Sequence, residues 1–145
     1  MKILVESADA PNYISFNSES LNAIQLEGGK FELRNSSLLI EDLVYGDVID
    51  AKQNANGTLT YANLVTPGSF STLRIFSSNT AFKFIYQFCK EMDLLGAGSS
   101  VHEQLRLALI TVPQEVDFWH VDAQARQRCG VGCIFKRMAV RHQKV

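Results

Sequence analysis

The sequence predicts an α+β protein, with a small N-terminal antiparallel β-sheet or half-barrel followed by a ferredoxin-like β-α-β-α-β layer with two helices. Two observations support this fold class: glycine-marked hairpin patterns in the first half, and helical periodicity after about residue 72. The 145 residues are enough for a single domain, 1–145, or for two fused lobes, a β-rich lobe at 1–70 and an α+β lobe at 71–145. With 46% hydrophobic residues, the chain can bury a core without a disulfide or a metal.

Two hairpins are predicted in the first half. Gly28-Gly29 connects the first pair of strands, and glycine adopts the positive φ angles of a tight turn at no steric cost. A polar connection that ends in Asn56-Gly57 joins the second pair, and Pro67-Gly68 marks the end of this half. The predicted strands are 22–27 and 30–35 in the first hairpin, and 48–52 and 58–61 in the second.

A strand at 72–76 begins the second half, and the polar residues 77–80 offer N-cap side chains for a helix that runs to about Leu95. Gly96-Ala97-Gly98 ends that helix. Its apolar stripe, at helical spacing, consists of Phe82, Ile85, Phe88, Cys89, Met92 and Leu95. The remaining predicted elements are a central strand at 105–112, a helix from Pro113 to about Arg128, and a closing strand at 133–140.

The composition predicts a soluble, cytoplasmic protein that does not enter a membrane. The longest apolar runs, 3–5 and 107–110, are far shorter than the ~20 residues of a membrane span. Glu6 interrupts the apolar start of the chain, which is not the pattern of a secretory signal. Three cysteines, an odd number without disulfide-framework spacing, are typical of a reducing compartment.

Charge is distributed unevenly along the chain. Residues 1–50 carry nine acidic against three basic side chains, whereas no acidic side chain follows Asp122 and six basic ones do. Such a dipole can steer a basic partner to one end and an anionic partner to the other. The alternative is that the two ends neutralise each other, or that both are ordinary solvated surfaces.

The pair Cys129 and Cys133 is a weak candidate metal site. His120 or His142 can complete a tetrahedral zinc site with the two thiols, but a strong zinc motif contains a second pair of ligands. We therefore predict a glycine turn here, with Cys133 at the start of the last strand, and neither a metal nor a cofactor. A disulfide across this turn would be redox-labile and is not expected in the cytosol.

The sequence contains no nucleophile elbow, zinc-protease motif or glycine-rich phosphate loop, so we predict that the protein is not an enzyme. Cys89 lies on the apolar helix stripe, where a thiol is usually a small buried hydrophobe. An enzyme with a cleft between the lobes remains an alternative, with His102, His120 or the cysteine pair as its reactive groups.

Nucleic-acid binding is a second alternative, since cationic side chains neutralise phosphates and aromatic rings stack on bases. Phe135 and Trp119 lie near the C-terminal basic segment, but the whole-chain pI of about 6.3 is low for a dedicated nucleic-acid binder. The candidate residues are Arg126, Arg128, Lys136, Arg137 and Arg141.

Several ordered motifs resemble those of an uncharacterised bacterial family, a domain of unknown function. The motifs are Ser18-Glu19-Ser20-Leu21-Asn22-Ala23, Gly29-Lys30-Phe31-Glu32-Leu33-Arg34-Asn35, Tyr45-Gly46-Asp47-Val48-Ile49-Asp50-Ala51, Gly68-Ser69-Phe70-Ser71-Thr72-Leu73-Arg74-Ile75 and Val112-Pro113-Gln114-Glu115-Val116-Asp117. Two positions depart from the family pattern: Asn22 replaces a tryptophan and Phe70 replaces a histidine. Chemistry carried by that histidine would be absent here. The resemblance implies a fold more than a function.

We therefore expect a non-enzymatic protein-binding module, most concretely a small immunity or antitoxin-like protein that neutralises a bacterial toxin domain by direct binding. The expected partner is a basic protein, and an acidic N-terminal third suits the basic surface of, for example, a nuclease. The predicted contact residues are Glu19, Glu27, Glu32, Glu41 and Asp42. The sequence does not predict the oligomeric state.

Overall fold

The computed structural model describes residues 1–7, 14–77, 83–129 and 133–143. The chain divides into two compact units, Met1–Ser69 and Phe70–Val145. Strands dominate the first unit, and the second contains both described helices. The predicted α+β class is therefore confirmed.

The first unit is a closed barrel of five strands in the order β1-β2-β3-β4-β5. Its strands are β1 (Lys2–Glu6), β2 (Ser18–Gln25), β3 (Phe31–Leu33), β4 (Val48–Gln53) and β5 (Leu59–Thr66). Sequential neighbours pair antiparallel, and a parallel pairing of Leu4 with Thr60 closes the barrel. The sequence predicted a sheet or half-barrel because residues 2–6, which pair with both β2 and β5, were not predicted as a strand. Closure removes the exposed edges that an open sheet would present.

Both predicted hairpins are present. Gly28 and Gly29 take φ angles of +84° and +76° between β2 and β3, and Gly57 takes +88° between β4 and β5. Side chains alternate along the strands, so that Leu21 and Ala23 of β2 and Phe31 and Leu33 of β3 point into the barrel. The buried core of this unit consists of Ile3, Val5, Leu21, Ala23, Phe31, Leu33, Leu43 and Ile49.

The second unit is a four-stranded sheet in the order β7-β8-β6-β9 with two helices. Its elements are β6 (Ser71–Ser77), α1 (Lys83–Leu94), β7 (Gly98–His102), a 3-10 turn (Glu103–Leu105), β8 (Leu107–Val112), α2 (Phe118–Arg128) and β9 (Cys133–Ala139). All pairings in this sheet are antiparallel.

The predicted β-α-β-α-β layer lacks one strand, β7, and the observed order is β-α-β-β-α-β, which is the element order of a ferredoxin-like layer. This strand reads Gly-Ser-Ser-Val-His and has no apolar alternation. It pairs with β8 through a tight reversal that contains the 3-10 turn and Arg106, whose φ is +56°. The extra strand reverses the direction of the chain, so β8 runs antiparallel to β6 rather than parallel to it.

The helices cover one face of the sheet. In α1 the predicted stripe is confirmed at Ile85, Phe88, Cys89 and Met92, which are buried, whereas Phe82 and residues 78–80 lie outside the described residues. Helix α2 begins at Phe118 rather than near Pro113, because Asp117 caps it by accepting hydrogen bonds from the N–H groups of residues 119 and 120. Neither described helix is long and apolar enough to cross a membrane.

Candidate functional site

Charge separates between the two units. The first unit contains nine acidic and four basic side chains, a net charge of -5, and the second contains six acidic and ten basic, a net charge of +4. The uneven distribution seen along the sequence is therefore also a difference between two folded bodies. All five predicted acidic contact residues belong to the first unit.

Glu19 is used inside its own unit. Its carboxylate accepts a hydrogen bond from the Ser37 hydroxyl, and it accepts the N–H groups of Leu38 and Leu39 at 2.9 and 3.2 Å. Ser37 in turn accepts the N–H of Ile40 at 2.8 Å. Glu19 therefore fixes the connection after β3, a role that the sequence pattern did not indicate.

Glu32 lies on the outer face of the barrel in a cross-strand row. Ile24 pairs with Glu32, Glu32 with Val48, and Val48 with Thr66, so these side chains point to the same side. We call these four residues the Ile24 row. Ile24 is 42% exposed, and Val65 beside the end of the row is 40% exposed. The row thus combines a carboxylate with exposed apolar side chains.

Ion pairs border the Ile24 row on the outer barrel surface. The Arg34 guanidinium lies 3.1 Å from the Glu32 carboxylate. The Lys30 ammonium lies 2.5 Å from Asp50, and this contact lowers the pKa of the Asp50 carboxyl. These pairs are partly exposed, and such pairs contribute little to stability. A cationic side chain of a partner can therefore replace Arg34 at the Glu32 carboxylate or Lys30 at the Asp50 carboxylate.

Glu27, Glu41 and Asp42 lie in turns. Glu27 is exposed in the β2–β3 turn, whereas Glu41 and Asp42 lie in the connection between β3 and β4. Burial, and then the charge of Asp42, raise the pKa of the Tyr61 hydroxyl, which places Asp42 near that ring. Glu19 and Glu27 are at opposite ends of β2, roughly 25 Å apart. The five acids therefore do not form one compact patch.

Most of the predicted nucleic-acid contacts are engaged within the second unit. Arg137 makes a two-pronged contact with the buried Asp122 carboxylate at 2.7 and 2.8 Å, which raises the pKa of the guanidinium. Arg126 lies 3.9 Å from the same carboxylate and stacks over the Phe135 ring at 4.9 Å. Arg128 lies 3.0 Å from Glu91.

Lys136 and Arg141 differ from these three. Lys136 lies on β9 opposite Arg74 of β6, and its side chain is exposed. Arg141 follows β9, where its N–H donates to the Ser71 hydroxyl and its carbonyl accepts from Gln114. Arg126, Arg128 and Arg137 each contact a carboxylate of their own unit, and their side chains stay 58%, 56% and 40% exposed.

Ser71 and His142 form a hydroxyl–imidazole pair that the sequence analysis missed. The Ser71 oxygen lies 2.6 Å from His142 Nδ1, and His142 Nε2 lies 2.8 Å from the Pro113 carbonyl. Since a carbonyl only accepts, Nε2 carries the proton of the neutral ring, and the Ser71 hydroxyl donates to Nδ1. Ser71 is fully buried and also accepts two backbone N–H groups, so it anchors the C-terminal segment and is not exposed as a nucleophile.

The other proposed reactive groups lie apart. His102 ends β7, His120 is exposed on α2, and Cys89 is buried in the α1 stripe. Burial raises the pKa of the Cys89 thiol, which makes it a poor nucleophile. Among the described residues, no three His, Cys, Asp or Glu side chains gather as a metal site.

Cys129 and Cys133 are joined as a disulfide, with Cα atoms 5.5 Å apart. The expectation that the two thiols stay unpaired is therefore wrong. Their Cα separation lies within the range that a disulfide spans without moving the backbone, which a sequence spacing alone does not reveal. Cys133 does begin β9, as predicted.

An open cleft of about 810 Å³ lies at the start of α2. The cleft is lined by the carboxylates of Glu115 and Asp117 and by Arg141, so its charge does not favour either anionic or cationic small ligands. The lining residues are Gln114, Glu115, Val116, Asp117, Phe118, Trp119, Arg141, His142 and Gln143.

A model of the domain-of-unknown-function family DUF4265 matches residues 19–133. The chain belongs to the DUF4265 family. In this DUF4265 protein the motif residues Ser71, Thr72 and Arg74 are buried in β6, and Asp47 is buried in the first unit.

The DUF4265 chain is also similar to a solved structure described as a novel crystal structure of a hypothetical protein from Neisseria gonorrhoeae. The TM-score is 0.67 at 10% sequence identity, over 96% of this chain and 95% of that chain. At this identity the similarity concerns the fold. No curated protein matches the sequence.

Proposed function

We propose that this DUF4265 protein is a non-enzymatic protein-binding module that binds a basic protein partner through the outer surface of its barrel. The observation that carries the proposal is the net charge of -5 on the first unit against +4 on the second. A folded body with this excess of carboxylates attracts a cationic protein and accelerates its association.

The Ile24 row supplies the apolar contacts that give an interface its affinity, which charge alone does not provide. Affinity in protein interfaces comes largely from a few buried apolar or aromatic anchors, with charges on the rim setting the association rate. Ile24 and Val48 are apolar neighbours of Glu32, and Glu27 lies in the adjoining turn. We propose that a partner buries Ile24 and contacts Glu27 and Glu32 with cationic side chains.

The more specific proposal is a cytoplasmic immunity or antitoxin-like protein that neutralises a toxin domain. A toxin that acts on nucleic acid presents cationic side chains to phosphates, and an acidic barrel surface can compete for them. Glu41 and Asp42 add carboxylates in the connection between β3 and β4, with Asp42 near Tyr61, and Glu19 contributes by fixing that connection.

The nucleic-acid alternative stays open but has less support. Arg126, Arg128 and Arg137 already contact carboxylates of their own unit, so phosphate binding would have to displace those contacts. This alternative predicts binding that weakens steeply as salt rises.

The decisive experiment is co-expression with the protein encoded next to this chain, followed by capture at physiological salt and identification of the bound material by mass spectrometry. The affinity for a recovered partner is then measured for the wild type, for Glu27→Lys with Glu32→Lys, and for Ile24→Ser. The control is Glu103→Lys with Glu115→Lys, which changes the net charge equally with exposed residues of the second unit.

We expect a basic partner whose affinity falls at least tenfold in both test variants and less than threefold in the control. Equal affinities in all variants would remove the Ile24 row as the binding surface. Recovery of RNA or DNA without a protein would favour the nucleic-acid alternative instead.

A further inference from the structure

The Cys129–Cys133 disulfide joins the end of α2 to the start of β9. Cys129 is the C-cap residue of α2, and its N–H donates to the Ala125 carbonyl. Cys133 is the first residue of β9. The bond therefore connects a helix end to the beginning of an edge strand of the sheet.

Both cysteines are half-buried, whereas Cys89 is 5% exposed in the helix core. Thiol–disulfide exchange requires an incoming thiolate to reach one of the two sulfur atoms, so access distinguishes a labile disulfide from an inert one. The chain thus holds one accessible pair and one shielded thiol.

Other contacts hold α2 against β9. Arg137 of β9 binds Asp122 of α2 through two hydrogen bonds, and Arg126 of α2 stacks on Phe135 of β9. In addition, the disulfide closes a ring of only five residues, and short rings restrict the unfolded chain less than long ones. We therefore expect the helix and strand to keep their contacts when the disulfide is broken.

The last turn of α2 contains Arg126 and Arg128 and no acidic residue. Both guanidinium groups contact carboxylates, of Asp122 and Glu91, but stay 58% and 56% exposed, so they can attract an anionic thiol such as glutathione. The chemistry at this helix end suits exchange with a small anionic thiol.

We propose that Cys129 and Cys133 form a reversible thiol–disulfide exchange site whose co-substrate is a small anionic thiol of the glutathione class. A thiolate attacks one cysteine sulfur, breaks the internal S–S bond and forms a mixed disulfide, and the released cysteine thiolate takes up a proton. A second thiolate attacks the small-molecule sulfur of the mixed disulfide, which forms the small disulfide and releases the other cysteine as a thiolate that takes up a proton. Overall, the protein disulfide and two small-molecule thiols are converted into two protein thiols and one small-molecule disulfide. Two electrons pass from the small thiols to the protein.

The test uses the full chain, the Cys89→Ala variant, and the single variants Cys129→Ser and Cys133→Ser. Each protein is equilibrated in glutathione mixtures that run from fully reduced to fully oxidised. It is then quenched with acid, unfolded, labelled with a thiol-specific mass tag and weighed, while parallel samples are followed by circular dichroism.

We expect the wild type and Cys89→Ala to change from less than one-tenth to more than nine-tenths dithiol in one two-electron step, with unchanged circular dichroism. Each single variant should gain one glutathione in the oxidised mixtures. The proposal is overturned if the pair stays oxidised in reduced glutathione or stays reduced in oxidised glutathione. It is also overturned if reduction unfolds the chain or if no single variant accepts glutathione. None of these outcomes depends on the protein partner proposed above.

Discussion

Asp47 and Gly68 are joined by a hydrogen bond of 2.7 Å from the Gly68 N–H to Asp47 Oδ1, across 21 residues of sequence. The other carboxylate oxygen, Oδ2, accepts the Val44 N–H at 2.9 Å. Gly46, with a φ of +89°, precedes this buried carboxylate, and the Gly46 backbone packs against the Cα of Gly68. One side chain thus ties the start of β4 to the segment that follows β5.

The first prediction concerns the space at Gly68. A Cβ atom there would lie 2.9 Å from the carbonyl carbon and oxygen of Gly46, which are backbone atoms and cannot swing away. We expect Gly68→Ala to lower the free energy of unfolding by about 1–3 kcal/mol, measured by urea denaturation. Gly98→Ala is the matched control, since its Cβ would meet only the Thr111 carbonyl at 3.9 Å. Equal stability of the two variants would contradict the tight contact.

The second prediction separates structure from binding at two of the proposed contact residues. Glu19→Ala removes one acceptor of the Leu38 and Leu39 N–H groups and of the Ser37 hydroxyl, so we expect a loss of about 1–3 kcal/mol in urea denaturation. Glu27→Ala changes an exposed turn residue and should stay within about 0.5 kcal/mol of the wild type. A stable Glu19→Ala protein would show that the carboxylate does not organise the connection.

The third prediction concerns the buried Ser71 hydroxyl. Ser71→Ala removes the acceptor of the Arg141 and His142 N–H groups and the donor to the His142 ring. We expect a loss of about 1–3 kcal/mol and faster hydrogen exchange at residues 141 and 142. Ser100→Ala is the control, because its hydroxyl contacts His102 on an exposed strand. Unchanged exchange rates in Ser71→Ala would mean that other contacts hold the C-terminal segment.

The fourth prediction concerns pH. Burial raises the pKa of the Cys89 thiol above its ordinary value of 9.0, so the folded state holds this proton more tightly than the unfolded state. The resulting stability is fully present below pH 9 and is lost as pH rises through the folded-state pKa. We expect the wild type to lose more stability between pH 8 and pH 10.5 than Cys89→Ala, although the variant is less stable at pH 7.

That measurement is made by urea denaturation without reductant, so that the disulfide cysteines do not titrate. The remaining titrating groups are common to both proteins and cancel in the comparison. Parallel stability profiles for the two proteins would contradict a raised thiol pKa.

Local sequence patterns were sufficient to predict most of the individual helices and strands. Gly28 and Gly29 mark one barrel hairpin and Gly57 marks the other, because these turns need positive φ angles. The stripe of Ile85, Phe88, Cys89 and Met92 specified the buried face of α1. The sequence also indicated the charge asymmetry that the two units carry. These features depend on residues close together in the chain, where spacing and backbone preference are sufficient.

The pairing and hydrogen bonding of segments far apart in the chain could be seen only in the tertiary structure. Barrel closure depends on Leu4 pairing with Thr60, and β7 forms because β8 offers it a partner rather than because its sequence favours a strand. The contacts of Glu19 with Leu38, of Asp47 with Gly68 and of Arg137 with Asp122 likewise join residues 15 or more positions apart. The residue type alone does not show whether a carboxylate faces solvent or accepts hydrogen bonds from a buried turn. Its role is therefore fixed by which donors the folded chain places around it.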